Sequence, residues 1–190
     1  EYHSMAFTLL GRGEPRRVQT GVVSANFFDL LGVRPLLGRG FRPGEDQPGA
    51  APVLVLSYEF WQRALGGDPN VVGRTFTMND RVHTVIGVLP FLPQDPDRND
   101  ISMPVSSCPF RMTPHMLTTR AARLVELLGR LAPGVSLAQA RTDVNAVSAR
   151  LHRSYADAYR PADRIGVGAA LYRDELTRDA RPTLLVLLAT

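Results

Sequence analysis

A chain of 190 residues with 44% hydrophobic and 21% charged residues can offset the entropy of folding, which excludes a disordered tail and allows one domain or two small lobes. The net charge is +4, but all 22 basic residues are arginine and they are dispersed, with Arg16-Arg17 the only adjacent pair. That pattern argues against nucleic acid as a partner, because a phosphate-binding surface gathers its charge in a stripe interleaved with aromatics. The single cysteine, Cys108, excludes an intrachain disulfide framework. The longest apolar run, Thr183 to Thr190, falls short of the roughly 20 residues of a membrane span. No charged and apolar leader precedes Glu1, so the expectation is a chain from which any targeting segment has been removed.

In chain order, Tyr2 to Leu10 and Arg16 to Val23 read as a strand hairpin turned by Gly11, Gly13 and Pro15. Ser24 is the expected N-cap of a short helix carrying Phe27, Phe28 and Leu31, stopped by Gly32. Arg34 to Phe41 is a short extended segment. Pro43 to Pro52, with three prolines and two glycines, is the expected lobe boundary. Val53 to Leu56 is apolar throughout, as a strand covered on both faces requires. Ser57 then caps a helix over Tyr58 to Leu65, with Phe60/Ala64 and Trp61/Leu65 facing inward, Glu59 and Arg63 paired outside, and Gly66-Gly67 as the stop.

Arg74 to Met78 and Val82 to Leu89 alternate around Asn79-Asp80 and predict a second hairpin, with Gly87 marking a bulge or a close backbone approach. Pro90 to Pro114 holds six prolines and reads as a long irregular excursion with one short strand near Ile101 to Val105; it is the expected place of mobility or partner contact. Arg120 to Leu131 is assigned as a strand. Ser136 and Gln139 form a capping box opening a helix with Leu137, Ala140, Val144, Val147, Leu151 and Tyr155 on one face. Ile165 to Tyr172 reads as a last strand, and Asp174 to Thr190 begins a helix with purely apolar final turns.

No segment supplies a phosphate cradle, since Gly11-Arg12-Gly13 lacks the third glycine and the strand-to-helix setting. His3, His83, His115 and His152 are far apart, and His83 reads as a satisfied or exposed strand histidine rather than a zinc ligand. Cys108 and His115 can be drawn as nucleophile and base, but a proline-flanked cysteine without companion residues reads as an inert thiol. Asp95, Asp97 and Asp100 share a loop with Arg98 and read as a solvated turn, with a weak cation site as the alternative. No catalytic, cofactor-binding or metal-ligating residue is assigned, no cofactor is expected, and the chain is not read as an enzyme.

The segments Val23 to Val33 (VSANFFDLLGV), Leu37 to Phe41 (LGRGF), Val53 to Ser57 with Phe60-Trp61, Gly66 to Arg74, Thr84 to Val88 and Gly129 to Ala140 resemble, in order, the MacB-type periplasmic core domain of ABC transporter permeases, of the MacB/FtsX-like family. The resemblance implies an α+β fold of two lobes: a βαβ-type, porter-like lobe built from residues 1–43 and 119–176, and an inserted β-rich lobe over residues 44–118. It implies that residues 1–176 form an extracytoplasmic core and that 177–190 begin a transmembrane helix, placing the protein in the cell inner membrane with this domain on the periplasmic side.

The function so implied is coupling of ATP hydrolysis, on a separate domain or subunit, to export of a substrate or extraction of a lipoprotein. The implied partners are an ABC ATPase reached through the full-length permease, a periplasmic adaptor, an outer-membrane channel, and a second permease copy in a homodimer. The alternative is a passive ligand- or partner-binding module on a permease that does not transport. Phe27, Phe28 and Trp61 are expected in the core, and Gly32, Gly73 and Gly87 at turns or bulges.

Overall fold

The computed structural model describes residues 1–10, 14–78, 80–94, 97–120, 122, 124–160 and 166–177. They fall in two compact units, Glu1–Gly129 and Arg130–Thr190.

In the first unit, β1 (Tyr2–Leu10) and β2 (Arg16–Val23) form the expected antiparallel hairpin, Tyr2 opposite Val23 and Leu9 opposite Arg16. Next come α1 (Phe27–Leu31), β3 (Leu37–Gly38), β4 (Val53–Leu56) and α2 (Tyr58–Leu65). They are followed by β5 (Thr75–Met78), β6 (Arg81–Val88), β7 (Ile101–Pro104) and α3 (Pro114–Thr118). The seven described strands form one sheet in the order β3-β6-β4-β7-β2-β1-β5, and β5 returns to pair with β6. Six strands therefore close into a ring, with β3 added outside along the second half of β6, where Leu37 pairs Val88.

Closure divides the apolar residues into two cores by strand parity. Phe7 and Leu9 of β1, Val18 and Val22 of β2, Leu54 and Leu56 of β4, and Ile101 and Met103 of β7 join one cluster with Phe60, Trp61 and Cys108. The alternate residues Tyr2, Val23, Val53, Val55 and Ile86 pack in a second cluster with Phe27, Phe28, Phe41 and Leu89. The apolar run of β4 is thus explained: all four side chains are buried, two in each core.

Local signals hold where the chemistry is local. Ser57 Oγ accepts from the Phe60 N–H at 3.2 Å, and Gly66 stops α2 at φ 66°. Asp80 stands at φ 61° in the β5–β6 turn, where Met78 pairs Arg81. Gly87 fulfils both expectations: β4 and β6 shift register beside it, and a Cβ there would collide with the Arg39 carbonyl oxygen. Asn26, not Ser24, occupies the cap position of α1 and makes no side-chain cap bond. Ser24 Oγ instead donates to Asn26 Oδ1 at 2.9 Å.

The expected boundary between residues 43 and 44 is not a break in the sheet. β2 pairs β7, β1 pairs β5 and β3 pairs β6, so strands from both sides of it share one sheet. The Pro/Gly stretch is also tied down: Arg39 grips Glu45 at 2.6 and 2.9 Å, Asp46 accepts from the Ala25 N–H at 2.9 Å, and Ser106 Oγ donates to the Glu45 carbonyl at 2.5 Å. Prolines remove donors from that segment, but side chains from elsewhere replace them. Glu59 and Arg63 do not pair with each other; Arg63 reaches Asp100 at 2.7 Å. Among the described residues of the segment Arg120 to Leu131, Glu126 makes one bridge, to Tyr2, and none forms a strand.

In the second unit, α4 (Leu137–Ser154) opens on the expected capping box of Ser136 and Gln139. No α4 residue is buried; Leu137, Ala140, Val144 and Leu151 are half-buried. Residues 166–171 form no strand, and α5 (Tyr172–Leu176) begins within the segment expected to be extended. The apolar tail beyond Thr177, the Gly11 to Gly13 turn and Asp95 lie outside the described residues.

Candidate functional site

Two side-chain assemblies in the first unit draw on residues distant in sequence. The first clasps the loop before β7 onto the hairpin. Asn99 is buried and donates to the Tyr2 hydroxyl at 2.9 Å and to the Asp97 carbonyl at 3.0 Å, and its Oδ1 accepts from Ser4 Oγ at 2.8 Å. Gln19 Nε2 donates to Ser4 Oγ at 2.6 Å, and the Gln19 N–H donates to Asp100 Oδ2 at 3.1 Å. The Tyr2 hydroxyl donates to Asp97 Oδ2 at 3.0 Å. Burial, with the Asp97 carboxylate adding to it, pushes the Tyr2 phenol up to about 12, so this group is a permanent hydrogen-bond donor at neutral pH. Asp97 and Asp100 therefore also clamp the loop, Asp97 while exposed to solvent as expected, and β7 behind them is a central strand paired on both edges.

Beside this clasp the chain presents an aromatic to solvent. Phe91 is 72% exposed, its ring edge-on to Tyr58 at 5.9 Å between centroids, and Tyr58 stands edge-on to the buried Trp61 at 5.7 Å.

The second assembly lies in the inner core. His83 is wholly buried, Nδ1 2.9 Å from the Arg81 carbonyl and Nε2 3.3 Å from the Ser107 carbonyl, the satisfied strand histidine that was expected. Cys108 is also wholly buried, its sulfur 3.7 Å from Met5 Sδ, and burial raises its pKa, so at neutral pH it is a thiol. His115 sits exposed in α3 and is not joined to Cys108 by a hydrogen bond. His3 is 8% exposed, and neither ring nitrogen has a hydrogen-bond partner among the described residues. Among those residues no group of three or more His, Cys, Asp and Glu side chains gathers at one point.

Asn99, Met5 and Arg111 carry no sequence signal of their own. Asn99 follows prolines and aspartates that mimic a turn, and only the hairpin register brings Tyr2 and Ser4 to it. Trp61, Phe27 and Phe28 are core residues as expected; the Trp61 indole donates to the Asp68 carbonyl at 2.9 Å.

This is a mixed α/β domain with a sheet-dominated core and few helices. The chain belongs to the family of MacB-like periplasmic core domains, matched over residues 2–147, and is the extracytoplasmic part of an ABC-type permease. Domains of this kind belong to transporter permeases, which are not enzymes by themselves. The fold is similar to the periplasmic region of MacB from Actinobacillus actinomycetemcomitans, with TM-score 0.59 and 18% identity, covering 80% of this chain and 65% of that one. It is also similar to a permease domain from Porphyromonas gingivalis, with TM-score 0.51 and 18% identity, covering 78% and 68%. No curated protein sequence matches the chain. No described helix is long and apolar enough to cross a membrane.

Proposed function

We propose that this domain is the working extracytoplasmic part of its permease, coupling ATP hydrolysis on a separate domain or subunit to export of a substrate or extraction of a lipoprotein. The family match over residues 2–147 carries the reading. The closed ring supports it: six strands hydrogen-bonded on both sides resist shear, so force applied at one point moves the unit as a body. On this reading residues 177–190 enter the cell inner membrane, and the partners are an ABC ATPase, a second permease copy, a periplasmic adaptor and an outer-membrane channel.

The test uses the full-length permease carrying Cys108→Ser with spin labels at Arg34 in the first unit and Arg150 on α4. The distance distribution should differ between ATP-trapped and nucleotide-free states. Identical distributions would remove the mechanical reading and leave a passive binding module. That second reading is favoured by one observation, the exposed ring of Phe91.

A further inference from the structure

The inner core holds a set of soft donors that the transport reading does not use. Met5 Sδ and Cys108 Sγ lie 3.7 Å apart. His3 and Met5 are two residues apart on β1 and so share the face that carries Phe7 and Leu9 into the inner cluster. His3 is buried with both ring nitrogens unpartnered among the described residues. The Arg111 guanidinium acts electrostatically on both the His3 ring and the Cys108 thiol, which puts the two in one neighbourhood.

We propose that Cys108, Met5 and His3 form a buried site for a soft monovalent metal ion, Cu(I) or Ag(I), with one thiolate, one thioether and one imidazole ligand. The sulfur separation fits: two metal–sulfur bonds of about 2.3 Å span 3.7 Å at roughly 110°. Thioether and thiolate are the ligands that select soft ions over hard ones. Charge selects the valence. Arg111 is paired with Glu1 at 3.2 Å, so a thiolate and a monovalent ion leave the pocket neutral, whereas a divalent ion would leave an uncompensated charge beside a guanidinium. On binding, the Cys108 S–H bond breaks, its proton passes to solvent and the sulfur–metal bond forms. The ion keeps its valence, so no oxidant or reductant is needed.

Ag(I), which does not disproportionate, is the probe, titrated into the 190-residue chain against a competing thiol and followed by native mass spectrometry and calorimetry. One ion per chain should bind, with one proton released per ion at neutral pH. Met5→Leu and His3→Gln should each weaken binding by at least about 10-fold, the lower end of what even outer-shell changes cost, while Met116→Leu binds as the parent does. In the unsubstituted chain the Met5 methyl and the His3 ring nitrogen resonances should both shift on binding, a readout independent of whether the variants fold. Equal affinity in parent, Met5→Leu and His3→Gln, or unshifted Met5 and His3 resonances, would mean a bare thiol and overturn the site. Displacement of Ag(I) by equimolar Zn(II) would overturn the monovalent assignment.

Discussion

Trp61 anchors α2 in the inner core with both its ring and its indole N–H engaged. Trp61→Ala removes the ring and one of the two donors to the Asp68 carbonyl, and should cost about 3 to 5 kcal/mol in urea unfolding followed by far-ultraviolet circular dichroism. A loss below about 1 kcal/mol would place the ring at the surface instead. Gly87 lies against backbone that cannot swing aside, the Arg39 and Leu37 carbonyls. Gly87→Ala should therefore cost about 1 to 3 kcal/mol and loosen β3 first, seen as a lower melting temperature and faster amide exchange at Leu37 to Arg39. His83 sets a pH dependence. Burial lowers its pKa below the usual 6.5, helped by the Arg81 charge and opposed by its two carbonyl partners. The unfolded chain takes up a proton near that value which the folded chain refuses, so stability is full above it and falls as the pH drops below it. Unfolding free energy should be smaller at about pH 5.5 than at about pH 7.5, and His83→Gln should reduce the difference, the buried His3 contributing the rest with the same sign.

At the scale of elements, sequence and structure agree where an element is specified by its own residues. α2 and α4 keep their caps, and the β5–β6 hairpin keeps its turn, because each signal acts within four residues. Ser57→Ala should accordingly cost about 1 kcal/mol by removing the one side-chain acceptor for the α2 N-terminus. The Pro-rich segment is different. Six prolines between Pro90 and Pro114 suggest freedom, yet Asn99 replaces the missing backbone partners with four side-chain and main-chain bonds. Asn99→Ala should release the loop from the hairpin. Hydrogen exchange at Gln94 to Asp100 should rise, and stability should fall by about 1 to 3 kcal/mol because the Tyr2 and Ser4 hydroxyls and the Asp97 carbonyl lose their bonds to the Asn99 side chain. Unchanged protection of that loop would show that β7 alone holds it.

For the whole molecule, ring closure makes the strands of residues 1–43 and 44–118 one cooperative unit, since each segment supplies edges that the other satisfies. Denaturation followed at Trp61 and by amide protection of β1 should show one coincident transition. Two separated transitions would instead support the division into lobes at residue 43. The second unit shows the reverse pattern: α4 is well signalled by its caps, but none of its side chains is buried.

What the sequence determined by itself was the family, the order of β1 to β7 with α1 and α2 among them, the N-caps of α2 and α4, the Gly87 approach and the core roles of Phe27, Phe28 and Trp61. These are carried by short-range spacing, which a chain displays whether or not it is folded. Tertiary structure alone decided that β5 returns to β6, that the Pro43–Pro52 stretch is fastened through Glu45 and Asp46, and that Asn99 meets Tyr2 and Ser4. It also brought Met5 to Cys108 from 103 residues away. Strand pairing across a ring depends on which edges remain unsatisfied after every other strand has found its place, and no local window of residues records that.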